Sequence, residues 1–261
     1  MPSVGNGLRS VQTLVPGPGR LQDQRVYRYE LPFMTNLERG EEIISAAPQL
    51  YVDLDVESDG KAGHGSLASI GAVASRYVLT KPEPNHSQSY WLEQETFYRE
   101  LKPASEYFIP AQRDFCEQHG LERERLMEEG TEPARAMEEL AAWEQSTRHK
   151  FDKESSVLVA FNASFDFPWV DLEMHRAGIS NPFGIAGYCI KSLAHFLSTD
   201  YDWTKTSKGR LPQDVIPAGD FTHHALEDAI YQQGIHFALV GKIAKLLGPD
   251  TNPWLTDGRE A

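Results

Sequence analysis

At 261 residues, 40% hydrophobic and 24% charged, the chain has the composition of a folded globular protein with room for one large α/β domain or two small ones. No run of about 18 apolar residues occurs, which argues against a membrane partner, and two cysteines, Cys116 and Cys189, are too few for a disulfide framework. The net charge of −13 argues against a broad duplex-binding surface, but a basic loop or bound cations can reverse the field locally.

The N-terminus has no apolar signal-peptide core, and with so few cysteines the expected location is cytoplasmic. Residues 1–25, with Gly5, Gly7, Pro16, Gly17, Pro18 and Gly19, read as a flexible arm. Residues 26–48 form an extension in which Tyr27, Tyr29 and Leu31 alternate as in a strand and 37–47 suit a short helix.

The stretch from Leu50 to Gly60 organises the rest of the chain. Leu50, Val52, Leu54 and Val56 alternate with Asp53, Asp55 and Glu57, so a β-strand puts three carboxylates on one side. Such a row repels itself and needs solvent, basic side chains or divalent cations. Gly60 to Gly65 is a turn; it lacks the order and the strand-to-helix setting of a phosphate loop. A second strand is expected over 66–78 and a third over 90–93, the latter preceded by Pro82, Pro84 and Asn85.

From about 103 to 153 the pattern is helical, with Met137, Leu140 and Ala141 inward and the charges of 122–125 on a solvated face. Val157 to Phe161 reads as a strand buried on both faces, feeding a helix over 164–177 that Gly178 ends. A short strand near 187–190 and a helix near 191–197 come next. Residues 199–221 carry Trp203, Lys205, Lys208 and Arg210, which suits either a connecting loop or a flap that stacks bases and pairs phosphates. A last helix covers 223–247, with Ile230, Phe237, Val240 and Ala244 at helical spacing, and 249–261 is a tail.

Two further acids stand out. Asp166 follows the buried strand, where sheets present functional groups, although it is equally a first-turn helix acid favoured by the dipole. Asp228, beside Glu227 and five residues after His223, would by itself be an ordinary helix start.

Together, Asp55-x-Glu57-x-x-Gly60, Asn162-x-x-Phe165-Asp166 and His223-x-Ala225-x-x-Asp228 resemble the DEDD exonucleases, the superfamily of proofreading subunits, RNase T and oligoribonuclease. Ser69-Ile70-Gly71-Ala72-Val73 and His119-Gly120-Leu121 resemble further family segments. The departures are Ser58 and Asp59 for a pair of threonines, Ser69 for glutamate and Phe161 for histidine. His223 stands five residues before the last Asp, which marks the histidine branch, DEDDh; His224, at the tyrosine branch's position, is then a neighbouring polar residue. Taking Asp55 and Glu57 as the acid pair puts Gly60 in register and leaves Asp53 as an extra carboxylate, behind the ligands or partly exposed.

The resemblance implies an RNase H-like α/β fold over 49–248, a mixed five-stranded central sheet flanked by helices. It implies that Asp55, Glu57, Asp166 and Asp228 bind two Mg²⁺ or Mn²⁺ ions, with Asp55 bridging, and that His223 is the general base. Glu57 would also hold the terminal 3′-hydroxyl, and Asn162, Trp203, Lys205, Lys208 and Arg210 are the expected substrate contacts. Phe165 is expected in the core, and Leu67 is a candidate for packing near the terminal base. The implied partners are 3′ ends of single-stranded DNA or RNA, released as nucleoside 5′-monophosphates; a homodimer is left open. The competing reading is an exonuclease fold that has lost turnover and only binds, against which stands the presence of all four acids and His223.

Overall fold

In the computed structural model, which describes residues 43–45, 47–79, 90–198, 201–219 and 221–247, strand β1 (Gln49–Ser58) is the middle of a five-stranded sheet. Strands β2 (Leu67–Leu79) and β3 (Tyr90–Glu100) follow on one side, β4 (Ser155–Ala160) and β5 (Tyr188–Cys189) on the other, in the order β3-β2-β1-β4-β5. The β1–β2 and β2–β3 pairs are antiparallel, whereas β1–β4 and β4–β5 are parallel. The sheet is therefore mixed, as expected. The arm, most of the extension and the tail lie outside the described residues, as does the Pro82 to Asn85 boundary; residues 43–45 are helical.

The two faces of β1 have different chemistry. Leu50, Val52, Leu54 and Val56 are at most 3% exposed and pack with Met137, Leu140, Trp169, Val170 and Met174. These come from helices α3 (Pro133–Lys150) and α4 (Ala163–Arg176). Each such burial contributes about 1.5–3 kcal/mol, so this face anchors the strand. The opposite face belongs to the last helix, α6 (Ala225–Leu247), whose Ile235 and Leu239 pack with Val159 of β4, Ile190 of α5 (Ile190–Phe196) and Val215.

Several elements depart from expectation. The third strand extends to Glu100 because it pairs with β2 along its whole length, from Leu79↔Tyr90 to Ser69↔Glu100. Its alternating charges hide that strand in the sequence; Glu93, for one, pairs with Arg76 at 2.6 Å and Lys150 at 2.9 Å. The helical stretch is three helices, α1 (Pro110–Gln118), α2 (Arg123–Glu129) and α3; Pro110 and Pro133 each open one, where a missing N–H costs nothing. The 122–125 charges are not merely solvated. Arg123 pairs with buried Asp59 and donates to the Ser105 carbonyl, and Arg125 meets Glu100 at 2.5 Å. Residues 203–215 hold three short 3₁₀ turns instead of irregular loop: Trp203–Thr206, Lys208–Arg210 and Gln213–Val215.

Candidate active site

The site forms where β1 and β4 part. Their pairing is last seen at Asp53↔Val159, while β1 continues alongside β2 as far as Ser58. Beyond the fork, buried backbone groups on β1 need new partners. The Gln232 amide of α6 donates to the Leu54 carbonyl at 2.7 Å and accepts from the Phe161 N–H at 3.0 Å, bridging the splayed strands. The Val56 N–H donates to Asp166 Oδ1 at 3.2 Å. That hydrogen bond holds Asp166, in the first turn of α4, against β1 and beside Asp55.

Asn162 makes this possible. It sits at φ +88°, a left-handed conformation that asparagine tolerates better than most residues, and turns the chain from β4 into α4. Its side-chain oxygen accepts from Ser164 Oγ at 2.8 Å. Asp166 is thus both a first-turn acid and a member of the site.

Asp228 arrives from the other direction. A Cβ on Gly71, which is paired with Asp55, would lie 2.1 Å from the Leu226 nitrogen, so the start of α6 rests directly on the strand at a point only glycine permits. Asp228 Oδ1 accepts from the Thr222 N–H at 3.0 Å, while buried Oδ2 has no partner among the described residues. His223 stands just before the helix at φ +60°, so the helix starts at Ala225 and not at His223. Atoms of Glu57, His223 and Asp228 able to ligate a metal all lie within 4.8 Å of one another.

The electrostatics are those of buried, closely set acids with one cation, Lys208, among them. Burial first, and then Asp228, push the Asp55 carboxyl up to about 7, with Lys208 opposing. Burial, Asp55 and Asp228 push Glu57 up to about 8. Burial and Asp55 raise Asp166 as well, and burial raises Asp228 against the Thr222 hydrogen bond. The His223 imidazole is lowered by burial and then by His119 and Lys208, which favours its neutral form near pH 7.

Asp53 is not partly exposed. It is fully buried under α6, where Gln233 Nε2 and His236 Nδ1 each lie 3.4 Å from Oδ2. Burial raises its carboxyl and these two partners oppose the rise. His224 stacks on Tyr98 of β3, with ring centroids 4.3 Å apart, and so packs the helix start on the sheet.

Of the basic loop, Lys208 enters the site, 3.5 Å from Asp55 Oδ1. Trp203 instead packs beside His195 and under Lys191 of α5, Arg210 donates to the Thr204 carbonyl, and Lys205 is exposed on the same turn as Trp203. Phe165, expected in the core, is 38% exposed, and Leu67, expected near a base, is sealed in the core at 2%. In the first turn of α4, Ser164 and Phe165 lie on the solvent side while Ala163 and Asp166 face inward, and the hairpin turn tucks Leu67 inward. His119, read in the sequence as part of a family-like segment, lies edge-on to His223, ring centroids 4.7 Å apart. Residues not singled out in the sequence also matter: Gln232, Gln233 and His236 continue the Asp228 face of α6. Their spacing of four, five and eight residues after Asp228 is the helical signal that would have found them.

Residues 51–239 match the family described as the 3′-5′ exoribonuclease Rv2179c-like domain. The chain is 34% identical over 198 residues to the 3′-5′ DNA exonuclease Cap18 of Escherichia coli, covering 76% of this chain and 94% of that protein. Its fold is similar to the nuclease domain of 3′hExo, a DEDDh family member bound to rAMP, with a TM-score of 0.51 at 10% identity over 75% of this chain and 92% of that one. It is also similar to a 3′-exonuclease whose structure concerns 3′-end specific recognition of histone mRNA stem-loop, with a TM-score of 0.53 at 8% identity over 74% and 64% of the two chains. The chain belongs to the Rv2179c-like 3′-5′ exoribonuclease domain family, and it is a 3′-5′ exonuclease.

Proposed function

We propose that this enzyme removes nucleotides one at a time from 3′ ends of single-stranded DNA or RNA, using two Mg²⁺ or Mn²⁺ ions and His223 as general base, within a domain spanning residues 49–248. The observation that carries this reading is the convergence of Asp55, Glu57, Asp166, Asp228 and His223 from three distant segments on the fork between β1 and β4.

The donor set fits hard divalent cations. It is built of carboxylate oxygens, one of them, Asp228 Oδ2, buried without a partner among the described residues, and burial, with the neighbouring acids, raises the pKa of Asp55 and Glu57. Asp55, Glu57, Asp166 and Asp228 would hold the ions. Bound there, the ions supply a lowered pKa for water and charge stabilisation at the leaving oxygen.

The chain's own residues do the rest. His223, neutral near pH 7, takes a proton on an unprotonated ring nitrogen as the water oxygen bonds to phosphorus. The P–O3′ bond breaks as the new bond forms. The departing 3′ oxygen takes a proton from solvent, leaving a shortened chain with a 3′-hydroxyl and a nucleoside 5′-monophosphate. Glu57, partly open to solvent, is suited to accept a hydrogen bond from the terminal 3′-hydroxyl, and Asn162, at the start of α4, to meet the last nucleotide. Further along the strand, Trp203 at 46% and Tyr201 at 71% exposure offer ring surface for bases beside Lys191, Lys205 and Arg210.

The family description speaks of RNA and the Escherichia coli relative's name of DNA, so the proposal keeps both sugars. The test is digestion of 5′-labelled single-stranded DNA and RNA with Mg²⁺ or Mn²⁺. Stepwise shortening is expected with at least one of them. No ladder on either, in protein whose metal binding is confirmed by thermal shift, would sink the reading.

A further inference from the structure

Four carboxylates with no nearby cation would make an unstable cluster, yet one cation is already built in. Lys208, on the second 3₁₀ turn, has its Nζ 3.5 Å from Asp55 Oδ1 with its side chain 17% exposed. The ammonium also sits 3.6 Å from the centroid of the Phe221 ring, in contact with its face, and 5.4 Å from that of Phe161. An ammonium on an aromatic face is attracted by the ring quadrupole whatever the state of the carboxylates.

Both rings belong to segments that carry the site. Phe161 directly follows β4, its N–H bonded to Gln232 at 3.0 Å, and Asn162 and α4 come directly after it; Phe221 is two residues before His223. The seat is thus made by the fold and does not depend on what the acids bind. Lys208 is also a charge felt by Asp55, Glu57, Asp166, Asp228 and His223 alike.

We propose that Lys208 is a further catalytic residue, a fixed ammonium on the Phe221 and Phe161 rings that contacts a non-bridging oxygen of the scissile phosphate and stabilises the charge gained in the transition state. Attack by a hydroxide equivalent on a phosphodiester monoanion doubles the negative charge around phosphorus. A cation held in place beforehand, in a partly dehydrated site, stabilises that added charge without having to reorganise. Lys208 neither donates nor accepts a proton in this step; the proton of the water goes to His223 and the 3′ oxygen is the leaving group. The role rests on the exonuclease reading above. It differs from a latch, in which the lysine would merely occupy a cation position until metal displaced it.

The test compares wild type with Lys208→Met, Lys208→Gln and Lys208→Arg in single-turnover digestion at saturating Mn²⁺. It is paired with metal titration by thermal shift, and with binding of a fluorescent oligonucleotide in Ca²⁺. The neutral variants are expected to lose about 100-fold in rate, in line with the loss of one positioned transition-state donor. Their half-saturating metal concentration should stay the same or fall, since a like charge has left, and oligonucleotide affinity should stay within about threefold. Lys208→Arg should recover part of the rate. Neutral variants within threefold of the wild-type rate at saturating metal would overturn the proposal and, where they gain activity at low metal, identify a latch. A rate loss matched by an equal loss of oligonucleotide affinity would overturn it too, leaving a plain binding residue. A lost thermal response to metal in both neutral variants would make Lys208 structural and likewise overturn it. An inactive wild type would instead remove the exonuclease reading itself, and Lys208's role with it.

Discussion

One face of β1 carries Asp53, Asp55 and Glu57 at two-residue spacing, and the fold treats its two ends in opposite ways. Asp53 is fully buried where β1 and β4 are still paired, and α6 supplies it with Gln233 and His236. That network continues through Ser75, which donates to Gln233 Oε1 at 2.7 Å, and Gln94, which donates to the same oxygen at 2.9 Å. Asp55 and Glu57 lie beyond the fork, where what faces them is more acid: Asp228 from α6 and Asp166 from α4. The difference teaches that an acidic row becomes structural or functional according to what the opposing helix offers. One turn of α6 presents Asp228; the next two present amides and an imidazole.

The largest effect should come from the functional end. Under the proposed mechanism Asp228→Asn removes one metal oxygen but keeps an acceptor for the Thr222 N–H. Losing several kcal/mol of charge stabilisation corresponds to about a thousandfold in rate. Without metal, the same variant should be no less stable than wild type, because an amide relieves repulsion with Asp55 and Glu57. Metal at about a hundred times its dissociation constant should stabilise wild type by about 2.7 kcal/mol and this variant far less. A metal-free Asp228→Asn protein that melts well below wild type would break the comparison, since Asp228 would then be a structural acid like Asp53.

His223→Ala is next, with an expected loss of about 10²–10⁴-fold, the usual range for a general base. Its thermal stabilisation by metal should persist, which separates the proton acceptor from the ligands. Near wild-type turnover in this variant would remove the base assignment.

Gly71→Ala tests how the two ends are held in one register. The added methyl would lie 2.1 Å from the Leu226 nitrogen and 2.3 Å from the Ala225 carbonyl carbon, so the start of α6 must shift. Overpacking of this kind costs about 1–3 kcal/mol, and a displacement of about 1 Å at a reacting group can cost 10²-fold in rate. Stability and rate should both fall, measured by melting and by single-turnover digestion. An unchanged rate would mean that α6 does not set the position of Asp228.

Much of the fold and the site is legible in the sequence for a physical reason: strand alternation and helix caps are local. The period of two reveals the acidic row, and the continuous apolar run at Val157 to Phe161 reveals the central parallel strand. The register choice at Asp55 and Glu57 rests on Gly60; in the structure Asp53 is fully buried beside Gln233 and His236, whereas Glu57 gathers with His223 and Asp228. What escapes depends on contacts between distant segments. Gly71 looks like any strand glycine until α6 is laid across it, and Gln232 looks like a surface amide until two strands splay around it. Lys208 is one of several loop cations; only the rings of Phe161 and Phe221, 60 residues apart in sequence, distinguish it from Lys205 and Arg210.

The smallest effect is expected at the structural end. Asp53→Asn keeps the shape and one acceptor oxygen, so Gln233 can still donate, but His236 loses its carboxylate partner. Losing one long hydrogen bond while leaving the shape intact should cost about 1 kcal/mol. For a chain of this size that is a melting shift of about 2–4 °C. Turnover per folded molecule should stay within about twofold of wild type, and the response to metal should be unchanged, because neither Gln233 nor His236 touches the acids beyond the fork. Should Asp53→Asn instead abolish both turnover and metal stabilisation while melting normally, the row would be a single functional unit, and the fork at Asp53↔Val159 would no longer mark where structure ends and chemistry begins.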